Sequence, residues 1–201
     1  MSSASLSSVP NIGDRAPEFE LPDPDMKPRK LSEFYGKKTI LAFFPAAESP
    51  VCTAEMCALR DSLDSLRDLG ANVVGISVDG PFANKFFVQN RHLNFPVLSD
   101  YRRDVIKKYG IVMKNLGPLE GYDAAKRSVF ILDENGKVIY RWVSDNPLIE
   151  PNYTEIKEAL KNNKFGIDPD EVERARAQLK AGLLMSLEST GARCEQLGQQ
   201  M

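Results

Sequence analysis

A chain of 201 residues with 42% hydrophobic content suits one domain with a real core and an appendage. Its 26 basic and 28 acidic residues leave a net charge of −2, with no basic patch to argue for nucleic acid and no charge block to argue for an acidic or basic tail. No apolar run approaches a membrane span, and three cysteines, an odd number, argue against a secreted disulfide framework.

The opening MSSASLSSVP lacks the positive start and apolar core of a signal peptide. Residues 1–11 therefore read as a flexible lead, and a cytoplasmic location is expected. Residues 14–30, rich in Pro and Asp around a short alternating piece, predict a small extended element or hairpin at the domain edge. A single turn over Leu31 to Gly36 leads into a strand over Thr39 to Phe44, apolar on both faces and so suited to a central, doubly covered position. The strand stops at Pro45. After a stretch of small and polar residues, apolar positions fall at Cys52, Met56, Leu59, Leu63 and Leu66, the three-and-four spacing of a helix with one buried face, ending near Gly70.

Cys52 thus lies on the inward face of a helix's first turn. That turn has unpaired backbone N–H groups and a partial positive charge, which favour a thiolate over a thiol. Location alone does not separate a reactive cysteine from a buried small hydrophobe. The residues around it do. The stretch Pro45-Ala46-Ala47-Glu48-Ser49-Pro50-Val51-Cys52 resembles the peroxiredoxin signature Pro-x-x-x-Thr/Ser-x-x-Cys, and the flanking LAFFP and CTAEMC resemble that family as well. The resemblance spans roughly Ile12 to Leu160 and departs from the commoner pattern in having Ser49 in place of Thr, which keeps the hydroxyl. It implies a thiol peroxidase with Cys52 as the nucleophile. Ser49 would accept and donate hydrogen bonds at the peroxide, and Pro45 would wall the pocket without offering a donor. Without the family, Pro45 would be a strand terminator and Ser49 a cap hydroxyl.

Cys57 follows five residues later. On an ideal helix, positions five apart have Cα atoms about 8 to 9 Å apart, whereas a disulfide needs less than about 7 Å. The pair cannot bond while the helix is intact. The Cys-x4-Cys spacing resembles the Q-type peroxiredoxins, the bacterioferritin comigratory protein group, in which the second cysteine resolves the sulfenic acid after local unwinding. An external thiol acting in place of Cys57 remains open, as does Cys194. Three cysteines and one histidine are too few and poorly spaced for a closed zinc site, and no Gly-rich nucleotide loop appears, so no cofactor is expected.

A second buried strand over Asn72 to Val78 completes a βαβ unit with parallel strands. Asp79-Gly80-Pro81 starts a helix over Phe82 to Arg91, with Phe82, Phe86 and Phe87 expected to pack inward and His92 at its end. His92, the one histidine, is read as a helix-end residue rather than a general base. A short strand over Phe95 to Leu98, a helix over Arg103 to Tyr109 and a loop-like stretch from Ile111 to Ala125 follow. Ser128 to Asp133 and Val138 to Val143 flank Asn135-Gly136, a hairpin with a type I′ signal. Arg127, at the start of that hairpin, matches the family's active-site arginine. By spacing alone it is a strand-end residue with Arg102 and Arg103 as competitors. Glu55 matches a family carboxylate that orients the arginine. A helix over Tyr153 to Leu160 closes the domain.

These elements and the resemblance imply an α/β, thioredoxin-like fold, a central mixed sheet flanked by helices, over residues 12–164. Residues 165–201 form a separate amphipathic helical tail. Asp168-Pro169-Asp170-Glu171 is a helix start, and Val172, Ala175, Leu179, Leu183 and Leu187 make one apolar stripe. The tail is similar to a helical fragment of pitrilysin-like processing peptidases, but the chain has no His-x-x-Glu-His and zinc proteolysis is excluded. The expected partners are a peroxide, a thioredoxin-like dithiol reductant and, by resemblance, a second copy in a homodimer or higher homo-oligomer. The alternative reading is a redox sensor or chaperone-like protein switched by Cys52 oxidation.

Overall fold

Six buried residues, Lys38–Phe43, form β3, the middle strand of a five-stranded sheet in the computed structural model, which describes residues 8–162. Ahead of it, β1 (Glu20–Pro22) and β2 (Pro28–Lys30) pair as an antiparallel hairpin, and a 3-10 turn spans Leu31–Phe34. After it come α1 (Pro50–Asp61), α2 (Leu63–Asp68), β4 (Ala71–Ser77), α3 (Pro81–Asn90), β5 (Val97–Ser99) and α4 (Asp104–Lys108). The small strands β6 (Val112–Met113) and β7 (Ala124–Ala125), then β8 (Arg127–Leu132), β9 (Val138–Ser144) and α5 (Tyr153–Asn162), complete the order. The main sheet runs β5-β4-β3-β8-β9, with β4 parallel to β3 and to β5, β8 antiparallel to β3, and β9 antiparallel to β8. The expected sheet of mixed direction is therefore what forms.

Successive β3 side chains point to opposite faces. Leu41 and Phe43 join Val74, Ile76, Phe130 and Leu132 in a core closed by Leu31, Phe34, Val105, Ile106 and Tyr109. Its centre is aromatic: Phe43 and Phe130 ring centroids lie 5.1 and 5.4 Å from that of Tyr109. Ile40, Ala42 and Phe44 serve the other face with Met56 and Leu59 of α1, Leu63 and Leu66 of α2, Phe87 of α3, and Ile156 and Leu160 of α5. Helices thus cover both faces.

Three local expectations change. The helix predicted from Cys52 to Gly70 is interrupted at Ser62, whose carbonyl accepts from both Leu66 N and Ser65 Oγ. A serine hydroxyl competing for a helix carbonyl weakens the ladder there. The apolar stripe continues across the break. Gly70, at φ 74°, takes the left-handed position after α2.

Phe82 and Phe86 do not pack inward; they are 72% and 61% exposed, and Phe87 alone of the three is buried. Asn84 takes the inward face instead, its Oδ1 accepting from Ser77 Oγ at 3.1 Å and its Nδ2 donating to Leu98 O at 3.3 Å. A buried amide fixed to two strands sets the helix rotation, and residues two before and two after it then face away. Finally, the hairpin turn is not type I′. Asp133 Oδ1 accepts from Asn135 N and Lys137 N, and of the two turn residues Asn135 and Gly136 only Gly136 has positive φ, at 82°. Asp first and Gly fourth is a type I turn followed by a bulge, in agreement with the register shift at Ile131/Leu132.

Val9 packs against the aromatic core and Asn11 Oδ1 accepts from Arg141 Nη1. The amphipathic tail, including Cys194, lies outside the described residues.

Candidate active site

The site forms where β3 ends. Phe44 N still donates to Ile76 O, after which buried Pro45, which has no N–H, turns the chain out of the sheet. Glu48 adopts φ 61° and Ser49 is the N-cap of α1, with Pro50 as its first residue. Proline there has no N–H to leave unpaired and a φ already helical. Cys52, the third residue of α1, is 1% exposed. Cys57 lies in the same unbroken helix, half-buried, and both thiols are free. That is the geometry in which they cannot bond.

Arg127 reaches Cys52 across 75 positions of sequence. The β3–β8 register pairs Phe43 with Ser128, which sets Arg127 level with the strand end from which the Cys52 loop departs. Its side chain is 1% exposed. Nη2 donates to Cys52 Sγ at 3.3 Å and to Pro147 O at 2.7 Å, Nε donates to Pro147 O at 3.2 Å, and Nη1 donates to Glu55 Oε2. The planar guanidinium is thereby held on three sides, with one edge at the sulfur. Arg102 pairs with Asp104 and Arg103 donates to Asp123 O, so neither competing arginine takes this place.

Glu55, one turn after Cys52, is fully buried, and its Oε1 has no hydrogen-bond partner. Burial pushes its carboxyl from the ordinary 4.5 up to about 7, the Arg127 guanidinium pulls against that rise, and Glu150 adds to it. Burial also acts against the charge on Arg127, but Glu55 and Cys52 outweigh it and hold the guanidinium above its usual value. Tyr153, whose hydroxyl donates to Glu150, has its phenol raised, first by burial and then by Glu150 and Glu55.

Ser49 Oγ donates to Ala46 O at 3.0 Å. Its proton is committed to the loop, and the hydroxyl oxygen keeps its capacity as an acceptor. Asp79, read from sequence as part of a helix start, follows β4 and accepts from Ala47 N at 2.8 Å through Oδ2 and from Tyr122 OH at 3.4 Å through Oδ1. It therefore fastens the Cys52 loop to the β6–β7 connection. The Pro147 carbonyl has no counterpart in the sequence pattern, because a backbone acceptor leaves no residue-type signal. His92 is exposed at the end of α3. Among the described residues, no cluster of three or more His, Cys, Asp or Glu side chains is placed to hold a metal ion.

A buried cysteine, arginine and glutamate in this arrangement sit within a sequence that matches the AhpC/TSA family over residues 12–141. The chain belongs to the AhpC/TSA family. Peroxiredoxin Bcp of Escherichia coli K12 is 37% identical over 126 residues, 63% of this chain and 81% of that protein. The chloroplastic peroxiredoxin Q of Populus jackii is 40% identical over 128 residues, 64% of this chain and 58% of that protein. The crystal structure of peroxidoxin BcpB from Mycobacterium tuberculosis superposes with a TM-score of 0.67 at 31% identity, covering 76% of this chain and 97% of that one. The fold is thus the thioredoxin-like fold of peroxiredoxins, and the chain is a thiol peroxidase. Family membership implies a peroxide substrate and a thioredoxin-type reductant for this peroxiredoxin. No helix among the described residues is long and apolar enough to cross a membrane.

Proposed function

We propose that Cys52 is the residue that reduces hydrogen peroxide or an alkyl hydroperoxide, and that Cys57 resolves it. The thiolate sulfur of Cys52 attacks one peroxide oxygen; the S–O bond forms, the O–O bond breaks, and the second oxygen leaves and takes a proton to become alcohol or water. Cys52 is left as a sulfenic acid. Arg127 donates to the sulfur and to the peroxide oxygens, and Glu55 with the Pro147 carbonyl positions it. Ser49 accepts from the peroxide's hydrogen, and Pro45 walls the pocket against water. The first turn of α1 then unwinds and Cys57 bonds to the Cys52 sulfur, the sulfenic oxygen leaving as water. An external thioredoxin-like dithiol restores both thiols by exchange. This chemistry calls for no cofactor and suits a reducing compartment such as the cytoplasm. The catalytic unit spans residues 12–164, with 165–201 appended to it, and it works as a homodimer or higher homo-oligomer.

The observation that carries this reading is the buried Arg127 Nη2–Cys52 Sγ contact of 3.3 Å, held by Glu55 and Pro147. A peptide map of the reduced protein after one equivalent of hydrogen peroxide, with thiols trapped at once, tests it. A Cys52–Cys57 disulfide is expected, and a stable Cys52 sulfenic acid in the Cys57→Ser variant. A Cys52–Cys194 bond would assign resolution to the tail; an unreacted Cys52 would overturn the assignment altogether.

A further inference from the structure

The segment that must unwind between Cys52 and Cys57 is gripped at both ends by one residue of a different helix. Arg91, which caps the C-terminal end of α3, donates Nε at 3.0 Å and also Nη2 to Glu48 Oε2, just ahead of α1. Asn90 Nδ2 donates to the other carboxylate oxygen at 3.0 Å. The backbone carbonyl of the same Arg91 accepts from Arg60 Nη1, in the last turn of α1. Glu48 and Arg60 bracket both cysteines. Among the described residues Glu48 is moreover one of the few non-glycines with positive φ, at 61°, a conformation that costs a residue with a Cβ some energy and persists only where its surroundings impose it. Its carboxylate is held below the ordinary range, first by Asn90 and then by Arg91, so it is ionised at neutral pH.

We infer that Arg91 is a brace that sets how readily α1 opens for disulfide formation, and so how the Cys52 sulfenic acid divides between two fates. With the helix wound, the sulfenic acid remains beside Arg127, where a second peroxide adds another oxygen to sulfur and leaves as alcohol or water, giving sulfinic acid. With the helix open, the Cys57 sulfur bonds to Cys52 and water leaves. Grip on Glu48 favours the wound helix, because release frees a strained backbone and unties the loop in front of the first turn. The inference rests on Cys57 being the resolving cysteine. The hydrogen bonds of Glu48 run to Asn90 and Arg91, and those of Cys52 and Arg127 run to each other, Glu55 and Pro147, so Arg91 acts on the second step and leaves the first alone.

The test compares the full chain with its Glu48→Gln and Arg91→Met variants, each reduced, mixed with hydrogen peroxide, quenched over time and read by mass spectrometry. Three quantities are separated: loss of the Cys52 thiol, appearance of the Cys52–Cys57 disulfide, and sulfinic acid at high peroxide. Both variants should lose the thiol at the parental rate and form the disulfide roughly 3- to 10-fold faster, the range for a partly exposed, hydrogen-bonded ion pair. Sulfinic acid should fall in step. The double variant should gain little beyond either single one, since both remove the same pair. Unchanged or slower disulfide formation in variants whose thiol loss is normal would overturn the brace alone. If no Cys52–Cys57 bond forms in any of the proteins, resolution by Cys57 fails and the brace with it.

Discussion

The two faces of the central sheet solve different problems with the same strand. On one face Phe43 and Phe130 meet Tyr109 in an aromatic cluster whose one polar tip, the Tyr109 hydroxyl, donates to Pro17 O at 3.0 Å. On the other, the apolar packing of Ile40, Met56 and Leu59 gives way toward the end of β3 to Cys52, Glu55 and Arg127, all buried. Burying a charge pair is a weak route to stability, since desolvation offsets most of the attraction. The aromatic face is therefore the better placed to supply stability, while the polar end of the other face sets a guanidinium against the Cys52 sulfur and the Glu55 carboxyl.

Truncation on the aromatic face should be the larger stability change. Phe130→Ala removes a fully buried ring from the cluster and should cost about 3–5 kcal/mol by chemical denaturation. The fraction still folded should react with peroxide at the parental rate. A large loss of rate in the folded protein would mean that the two faces are not separable.

The polar end should show its cost as a pH slope. Glu55 is raised in the folded protein from 4.5 to about 7. Between those values the folded state binds more protons than the unfolded one, so the Glu55 contribution is full below about 4.5, declines as pH rises, and levels off above about 7. Denaturation at several pH values should show the parent losing on the order of 1–3 kcal/mol relative to Glu55→Gln between those limits. Parallel stability curves for the two proteins would show that the carboxyl is not held protonated by burial.

What could be read from sequence divides along the same line. The strand, loop and helix around Cys52 were legible because periodicity is local, and the β8–β9 hairpin because Asn135-Gly136 announces a turn, although the backbone of that turn took another type. Arg127 and Glu55 could be named only through family resemblance, since nothing local tells one arginine from Arg102 or Arg103. Pro147 was invisible because its contribution is a carbonyl. Phe82 and Phe86 were misplaced because the residue that faces inward, Asn84, is polar and satisfied by Ser77 and Leu98, so a hydrophobicity pattern points the helix the wrong way. The Glu48–Arg91 contact joins two unremarkable surface residue types across 43 positions, and only the fold brings them together.

The contact between Arg127 and Cys52 carries the whole account, and the rate of Cys52 oxidation in Arg127→Met measures it directly. With hydrogen peroxide in excess and Cys52 thiol loss followed by rapid quench, the second-order rate constant should fall by about 10²–10³, the usual effect of removing one donor from a developing charge. A near-neutral pH keeps the comparison clean, because Glu55 without its partner then takes up a proton rather than remaining a bare buried charge. A folded variant that oxidises Cys52 at the parental rate would contradict the account, leaving the guanidinium a structural tie between α1, β8 and Pro147.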